Sequence, residues 1–86
     1  MEKYRKRIDK IDEQLTKLLD ERMGLSFEIG KLKKEKEMPV YVPEREKEIF
    51  ERLRALPKET IRDDELEALF RHIIRISRLH GERGIR

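Results

Sequence analysis

Four polar side chains interrupt apolar stripes and are the first candidates for chemistry. Arg22 and Lys33 belong to one long helical pattern, Glu46 to a second and Ser77 to a third. Burying such groups without partners costs several kcal/mol, so they should face a ligand or one another. Eleven residues of helix separate Arg22 from Lys33 by only about 20° around the axis. Together the four predict a polar, mainly cationic pocket in a helical bundle, suited to a small dicarboxylate.

Each side chain also has an ordinary structural interpretation. Arg22 specifies the register of a coiled coil, Lys33 extends its ammonium to solvent, and Glu46 complements a helix dipole. Ser77 bonds back to a helix carbonyl. The residue pattern alone leaves both interpretations open.

The helix that must carry Arg22 and Lys33 is predicted over about residues 2–37. Apolar residues recur at spacings of three and four from Tyr4 to Leu32, and no proline precedes Pro39. Such a helix is about 50 Å long, whereas a compact domain of this size is about 30 Å across. The rest of the chain cannot cover it, so the sequence predicts an obligate homodimer, with a plain coiled coil as the competing explanation.

Two shorter helices should follow in a single domain over residues 1–86. The prolines and glycines indicate a linker over 38–43, a second helix over about 44–56, a connection over 57–63 and a third helix over about 64–81. Gly81 is the predicted stop, and the tail 82–86 is predicted to be flexible because it lacks periodicity. With no β pattern, the predicted fold is all-α, with three helices per protomer in an intertwined homodimeric bundle.

Composition argues against several function classes. Charged residues make up 48% of the 86, but 22 Lys and Arg nearly balance 19 Asp and Glu, which favours a solvated surface over nucleic-acid binding. Without cysteine, and with two isolated histidines, neither a disulfide nor a metal site is expected. No apolar run has the length of a membrane span and no hydrophobic leader follows Met1, so we expect a soluble cytoplasmic protein without a membrane partner. The excess of Lys, Glu and Arg over Asn and Gln is typical of proteins from high-temperature organisms.

Four short motifs carry a family resemblance: IDxID at 8–12, LLxxR at 18–22, IGxxK at 29–33 and PxRE at 43–46. They lie in RKRIDKIDEQLTKLLDERMGLSFEIGKLK and PVYVPEREKEIFERL, which FRHIIRISR follows. This pattern resembles the all-helical, AroQ class of chorismate mutase over nearly the whole chain. The resemblance implies a three-helix protomer that intertwines as a dimer and rearranges chorismate to prephenate without cofactor or metal.

The resemblance also implies roles for individual residues. Lys33 would donate to the ether oxygen of the breaking bond, and Glu46 would receive the substrate hydroxyl. The implied substrate-binding residues are Arg5 of the partner chain, Arg22, Arg45 and Ser77. Geometry supports the partner assignment, because Arg5 lies about 42 Å from Lys33 along the same helix.

Two positions depart from the family pattern. A glutamine or an acid usually stands four residues after the serine of the third helix, where this chain has Gly81. Losing such a donor costs about 10²- to 10³-fold in rate, unless His80 or a water substitutes. His80 is equally explained as a cation at a helix C-terminus. Val42 occupies a linker position that is polar in some relatives, so only its backbone is expected to contact the substrate.

Two other functions remain open from the sequence. An isochorismate pyruvate lyase of the same fold would use a similar cationic pocket. A non-catalytic helical dimer would serve as a regulatory or interaction domain.

Overall fold

The computed structural model describes residues 1–85, which form three α-helices: α1 (Glu2–Glu35), α2 (Pro43–Ala55) and α3 (Asp63–Ile85). Helix α3 packs against both α1 and α2. The chain measures 52 × 24 × 15 Å, and α1 accounts for its longest dimension, since 34 residues of helix span about 51 Å. The predicted all-α fold with three helices in the chain is confirmed.

Helix α1 ends two residues earlier than predicted, in a backbone motif that a pattern of apolar residues does not reveal. The N–H of Glu37 donates to the carbonyl of Lys34 at 3.2 Å, and the N–H of Met38 donates to that of Lys33 at 2.8 Å. Glu37 adopts a left-handed conformation with φ of 55°. These are the bonds of a Schellman motif, which satisfies the last carbonyls of the helix before Pro39.

Helix α2 begins at Pro43, one residue before its predicted start, with Val42 in an extended conformation at the N-cap. Its other end is tied to α3 through Lys58. The Lys58 ammonium donates to the carbonyls of Leu53 and Leu56 at 2.8 and 2.7 Å and lies 2.8 Å from the Asp63 carboxylate. One cation thus satisfies carbonyls at the C-terminus of α2 and an acid at the N-terminus of α3.

The prediction that Gly81 ends the third helix and that a flexible tail follows is wrong, because α3 continues to Ile85. Gly81 and Gly84 are buried against α1. A Cβ on Gly84 would lie 2.3 Å from the carbonyl oxygen of Phe27, and a Cβ on Gly30 would lie 2.0 Å from that of Gly81. The glycines therefore allow the two helix backbones to approach closely, and this packing outweighs their low helix propensity. Arg86, also assigned to the tail, lies outside the described residues.

The chain buries little of its own apolar surface. Within residues 1–85, Ile74 is the one hydrophobic residue that is buried, at 6% exposure. By contrast, large apolar side chains along α1 remain exposed, among them Tyr4, Ile8, Ile11, Leu15, Leu18, Leu25, Ile29 and Leu32. None of the helices formed by the described residues combines the length and hydropathy that crossing a bilayer requires.

Candidate active site

A cavity of about 290 Å³ lies where α1, the linker, α2 and α3 meet. Its charged walls come from all three helices, as four cations and one acid: Arg22, Lys33, Arg45, Arg78 and Glu46. Ser77 and Ser26 add hydroxyls, and the remaining wall is apolar or glycine: Leu25, Ile29, Gly30, Val40, Val42, Ile49, Ile74 and Gly81. The packing of α1 on α3 thus brings together side chains that are far apart in sequence.

Arg22 projects from α1 towards α3. Its Nη1 donates to Ser77 Oγ, and that hydroxyl also lies 3.5 Å from Met23 Sδ. Burial lowers the pKa of the Arg22 guanidinium from its usual value, and the positive charge of Arg45 lowers it further. Both causes mean that this cation lacks compensating negative charge, which an anionic ligand in the cavity would supply.

Lys33 also lines the cavity. Its Nζ donates to the carbonyl of Val40 at 3.0 Å, which links the last turn of α1 to the linker. Since a lysine ammonium has three N–H donors, this bond leaves others for a ligand.

Glu46 is held by a residue that the sequence analysis missed. Arg78 donates to Glu46 Oε2 from Nε at 3.0 Å and from Nη2 at 2.5 Å. The Arg78 guanidinium lies 4.0 Å from the centroid of the Tyr41 ring. Arg78 stands four residues after the buried Ile74, on the same helical face, and that spacing is the signal that could have identified it.

The other predicted site residues fall into two groups. Arg45, Val42 and Gly81 line the cavity, and Arg45 also lies 3.9 Å from Glu48. His80 is half-buried and is not among the cavity residues. Arg5 is exposed near the start of α1, where its Nη1 lies 3.5 Å from Glu2 Oε1, and it is not among the residues that line the cavity.

Gly81 leaves a restricted space on the cavity wall. A Cβ at this position would lie 3.0 Å from Val40 Cγ1 and 3.6 Å from the carbonyl oxygen of Ser26. Val40 therefore packs into the space beside Gly81, and a larger residue there would require Val40 to move.

The cavity suits a compact anion with an apolar body. Its cations outnumber its single carboxylate, while its aliphatic wall can contact a carbon ring. Within residues 1–85 no group of three or more acids and histidines is placed to hold a metal ion.

Comparison with known proteins identifies the family. The family model for chorismate mutase type II matches residues 4–82. The chain belongs to this family. The resemblance drawn from the sequence motifs is therefore confirmed.

Two curated relatives of the chorismate mutase family match part of the chain. A bifunctional chorismate mutase/prephenate dehydratase of Aquifex aeolicus is 48% identical over 59 residues, or 69% of this chain and 16% of that protein. A chorismate mutase of Methanocaldococcus jannaschii is 44% identical over 55 residues, or 64% of this chain and 56% of that protein. The matched region is thus less than two thirds of either relative.

Solved chorismate mutases share the fold over most of their length. The enzyme from Helicobacter pylori, crystallised in complex with prephenate, superposes with a TM-score of 0.89 at 32% identity, covering 98% of this chain and 91% of that one. The enzyme from Thermus thermophilus superposes with a TM-score of 0.90 at 35% identity, covering 93% of this chain and 91% of that one. The superposition on the Helicobacter pylori enzyme covers nearly the whole chain, so it includes C-terminal turns of α3 that the sequence analysis assigned to a tail.

Proposed function

We propose that this chain catalyses the rearrangement of chorismate to prephenate. In this reaction one C–O bond breaks and one C–C bond forms within a single dianion, so no proton transfer, cofactor or metal is needed. The observation that carries the proposal is the convergence of Arg22, Lys33, Glu46 and Ser77 on one cavity. Family membership and the likeness to a chorismate mutase solved with prephenate support it.

In the proposed mechanism, the enzyme selects one conformer and stabilises its charge. Arg22, with Arg45 and Ser77, holds the substrate carboxylates and favours the folded conformer in which the reacting carbons approach. Lys33 donates to the ether oxygen, where negative charge grows in the transition state, and Glu46 accepts the substrate hydroxyl. The bond from Lys33 to Val40 supports this role, because it fixes the ammonium at the cavity wall.

We also propose that the active form is an intertwined homodimer in which Arg5 of the partner completes each site. The exposed apolar stripe of α1 supports this, because a single protomer fully buries almost none of its large side chains. Antiparallel pairing of two α1 helices about Leu18 and Leu19 would bring the partner's Arg5 level with Lys33. Two-fold symmetry then gives two equivalent sites.

Gly81 bears on the rate of the proposed reaction. Without a side chain there, the ether oxygen receives its hydrogen bond from Lys33 and from water rather than from a second side chain, and the rate should be lower by about 10²- to 10³-fold than with two donors. His80 stays a candidate substitute for the missing donor, and Val42 a candidate backbone contact.

The alternatives are less well supported. The relatives described above carry the name chorismate mutase, and no named relative favours an isochorismate pyruvate lyase. An interaction module that binds no ligand gives no reason for cations from α1, α2 and α3 to share one cavity, and a regulatory domain would bind chorismate or a related anion without converting it. Cytoplasmic location and a high-temperature origin stay predictions from composition.

The test is the loss of chorismate absorbance with purified protein, with the product identified as prephenate. Lys33→Ala should reduce kcat by at least about 10²-fold while the fold is retained. Lys34→Ala is the matched control, since Lys34 is the neighbouring exposed lysine outside the cavity. Near wild-type turnover in Lys33→Ala would contradict the mechanism, and pyruvate release from isochorismate without prephenate formation would favour the lyase.

A further inference from the structure

Arg78 stands out because it is a cavity cation that the proposed mechanism does not use. Both of its bonds to Glu46 end on the same carboxylate oxygen, Oε2. The pair is largely sheltered, with 38% of the Arg78 side chain and 22% of the Glu46 side chain exposed. Tyr41 lies over the guanidinium, so the orientation of Arg78 is limited from two sides.

This arrangement decides which cations remain for a ligand. Glu46 is the one acid among the cavity residues, and Arg22, Lys33 and Arg45 line the same space. A freely rotating Glu46 carboxylate would pair with one of them and neutralise it. By pairing with Glu46 at the cavity wall, Arg78 keeps the other three cations for a dianion.

We propose that Arg78 is a positioning residue, which with Tyr41 orients the Glu46 carboxylate so that Oε1 accepts the substrate hydroxyl. This inference rests on the proposed function. Arg78 acts through Glu46 and touches no reacting atom. A charge-assisted pair of this kind changes an equilibrium by about 10- to 100-fold, which sets the size of the expected effect on kcat/KM.

The experiment is a double-mutant cycle on chorismate turnover. Arg78→Leu should lower kcat/KM by about 10- to 100-fold, and Glu46→Gln by at least as much. In the Glu46→Gln background, adding Arg78→Leu should change kcat/KM by less than about threefold, because the group through which Arg78 acts is already altered.

Further variants separate positioning from folding. Arg78→Lys retains the charge and a donor, so it should lose less kcat/KM than Arg78→Leu. Tyr41→Leu removes the ring beside the guanidinium and should cause part of the same loss of kcat/KM. Tyr41→Phe keeps the ring and should not cause it. Arg75→Leu is the matched control, because Arg75 is an exposed arginine one turn earlier on α3 and outside the cavity. Thermal unfolding of each variant reports on the fold, and if Arg78→Leu does not fold, Arg78→Lys and Tyr41→Leu carry the test.

The outcomes are distinguishable. An active wild-type chain in which the Arg78 and Glu46 effects multiply independently overturns the inference and leaves the proposed function intact. A wild-type chain without mutase activity overturns both. A non-additive cycle with partial rescue by lysine is the result that the inference predicts.

Discussion

The two halves of α1 have the same apolar period but different surroundings. Residues 2–21 are exposed throughout, whereas residues 22–35 pack against α3 and the linker and supply Arg22, Gly30 and Lys33 to buried contacts. The C-terminal half is covered by its own chain on the side that faces α3, although Leu25, Ile29 and Leu32 stay exposed. The N-terminal half presents an equally apolar stripe with no cover from the described residues, so its partner is best sought in a second copy. One amphipathic helix thus combines a wall of the cavity with an exposed apolar stripe, which we propose is the surface for association.

The largest effect is expected in the exposed half, from Leu18→Glu near the middle of the stripe. A charge buried without a partner at a dimer interface costs about 3 to 5 kcal/mol, which should dissociate and largely unfold this chain. Analytical ultracentrifugation would measure the dissociation, and circular dichroism would measure the loss of helix. Lys17→Glu is the control, because it introduces the same charge at a polar position beside Leu18. If the Leu18→Glu protein keeps wild-type association and stability, the stripe is not part of an interface.

Arg22→Met should separate function from stability in the covered half. Removing the guanidinium should reduce kcat/KM by about 10²- to 10³-fold, because a substrate carboxylate loses its partner. A lowered pKa means that the folded state holds this proton less tightly than the unfolded state, so the charge of Arg22 opposes folding. The unfolding free energy should therefore stay within about 1 kcal/mol of wild type or rise. Urea unfolding would measure the free energy of unfolding, and a turnover assay would measure kcat/KM. A large loss of stability with retained turnover would contradict the proposed role of Arg22 in binding the substrate.

Gly30→Ala should break the crossing of α1 and α3. Its Cβ would lie 2.0 Å from the Gly81 carbonyl oxygen and 2.7 Å from the carbonyl carbon, which are backbone atoms that cannot rotate away. We expect a loss of about 3 kcal/mol in unfolding free energy, measured by urea unfolding.

Gly24→Ala is the matched control for that substitution, because the described chain has nothing within 4 Å of its Cβ. In a helix interior this change should stabilise the fold by about 0.5 to 1 kcal/mol. Equal losses of unfolding free energy in Gly24→Ala and Gly30→Ala would contradict this expectation. They would show that a partner chain packs on Gly24, so that the surface for association extends beyond residue 21.

The smallest effect is expected at the end of α1. Glu37 has φ of 55°, a conformation that glycine adopts without strain. Glu37→Gly should raise the unfolding free energy by about 0.5 to 1 kcal/mol and leave turnover unchanged. Lys36→Gly is the control, because Lys36 has φ of −94° and should only lose stability. A lower unfolding free energy in Glu37→Gly would show that the Glu37 side chain has a role beyond the backbone motif.

The sequence predicted what depends on helical periodicity and on polar interruptions of it. Arg22, Lys33, Glu46 and Ser77 were identified because each breaks an apolar stripe, and all four line one cavity. Features that depend on contacts between helices were not predicted.

Gly81 shows why contacts between helices could not be predicted from the sequence. Its local signal is a helix stop, but the approach of α3 to Gly30 keeps the helix intact. Arg78 was overlooked for a related reason, since its spacing from Ile74 indicates its face of α3 but not its role, which depends on contacts with Glu46 and Tyr41.

The central claim is that the exposed half of α1 completes a site on the covered half of its partner, and subunit exchange tests it most directly. Arg5→Ala and Lys33→Ala should each be inactive. Mixed in equal amounts and exchanged, they should regain about a quarter of wild-type turnover, because half of the dimers are then mixed and each has one intact site. A mixture of Arg22→Ala with Lys33→Ala should regain nothing, since both changes lie on the covered half. Absence of recovery in the first mixture despite demonstrated exchange would contradict the claim.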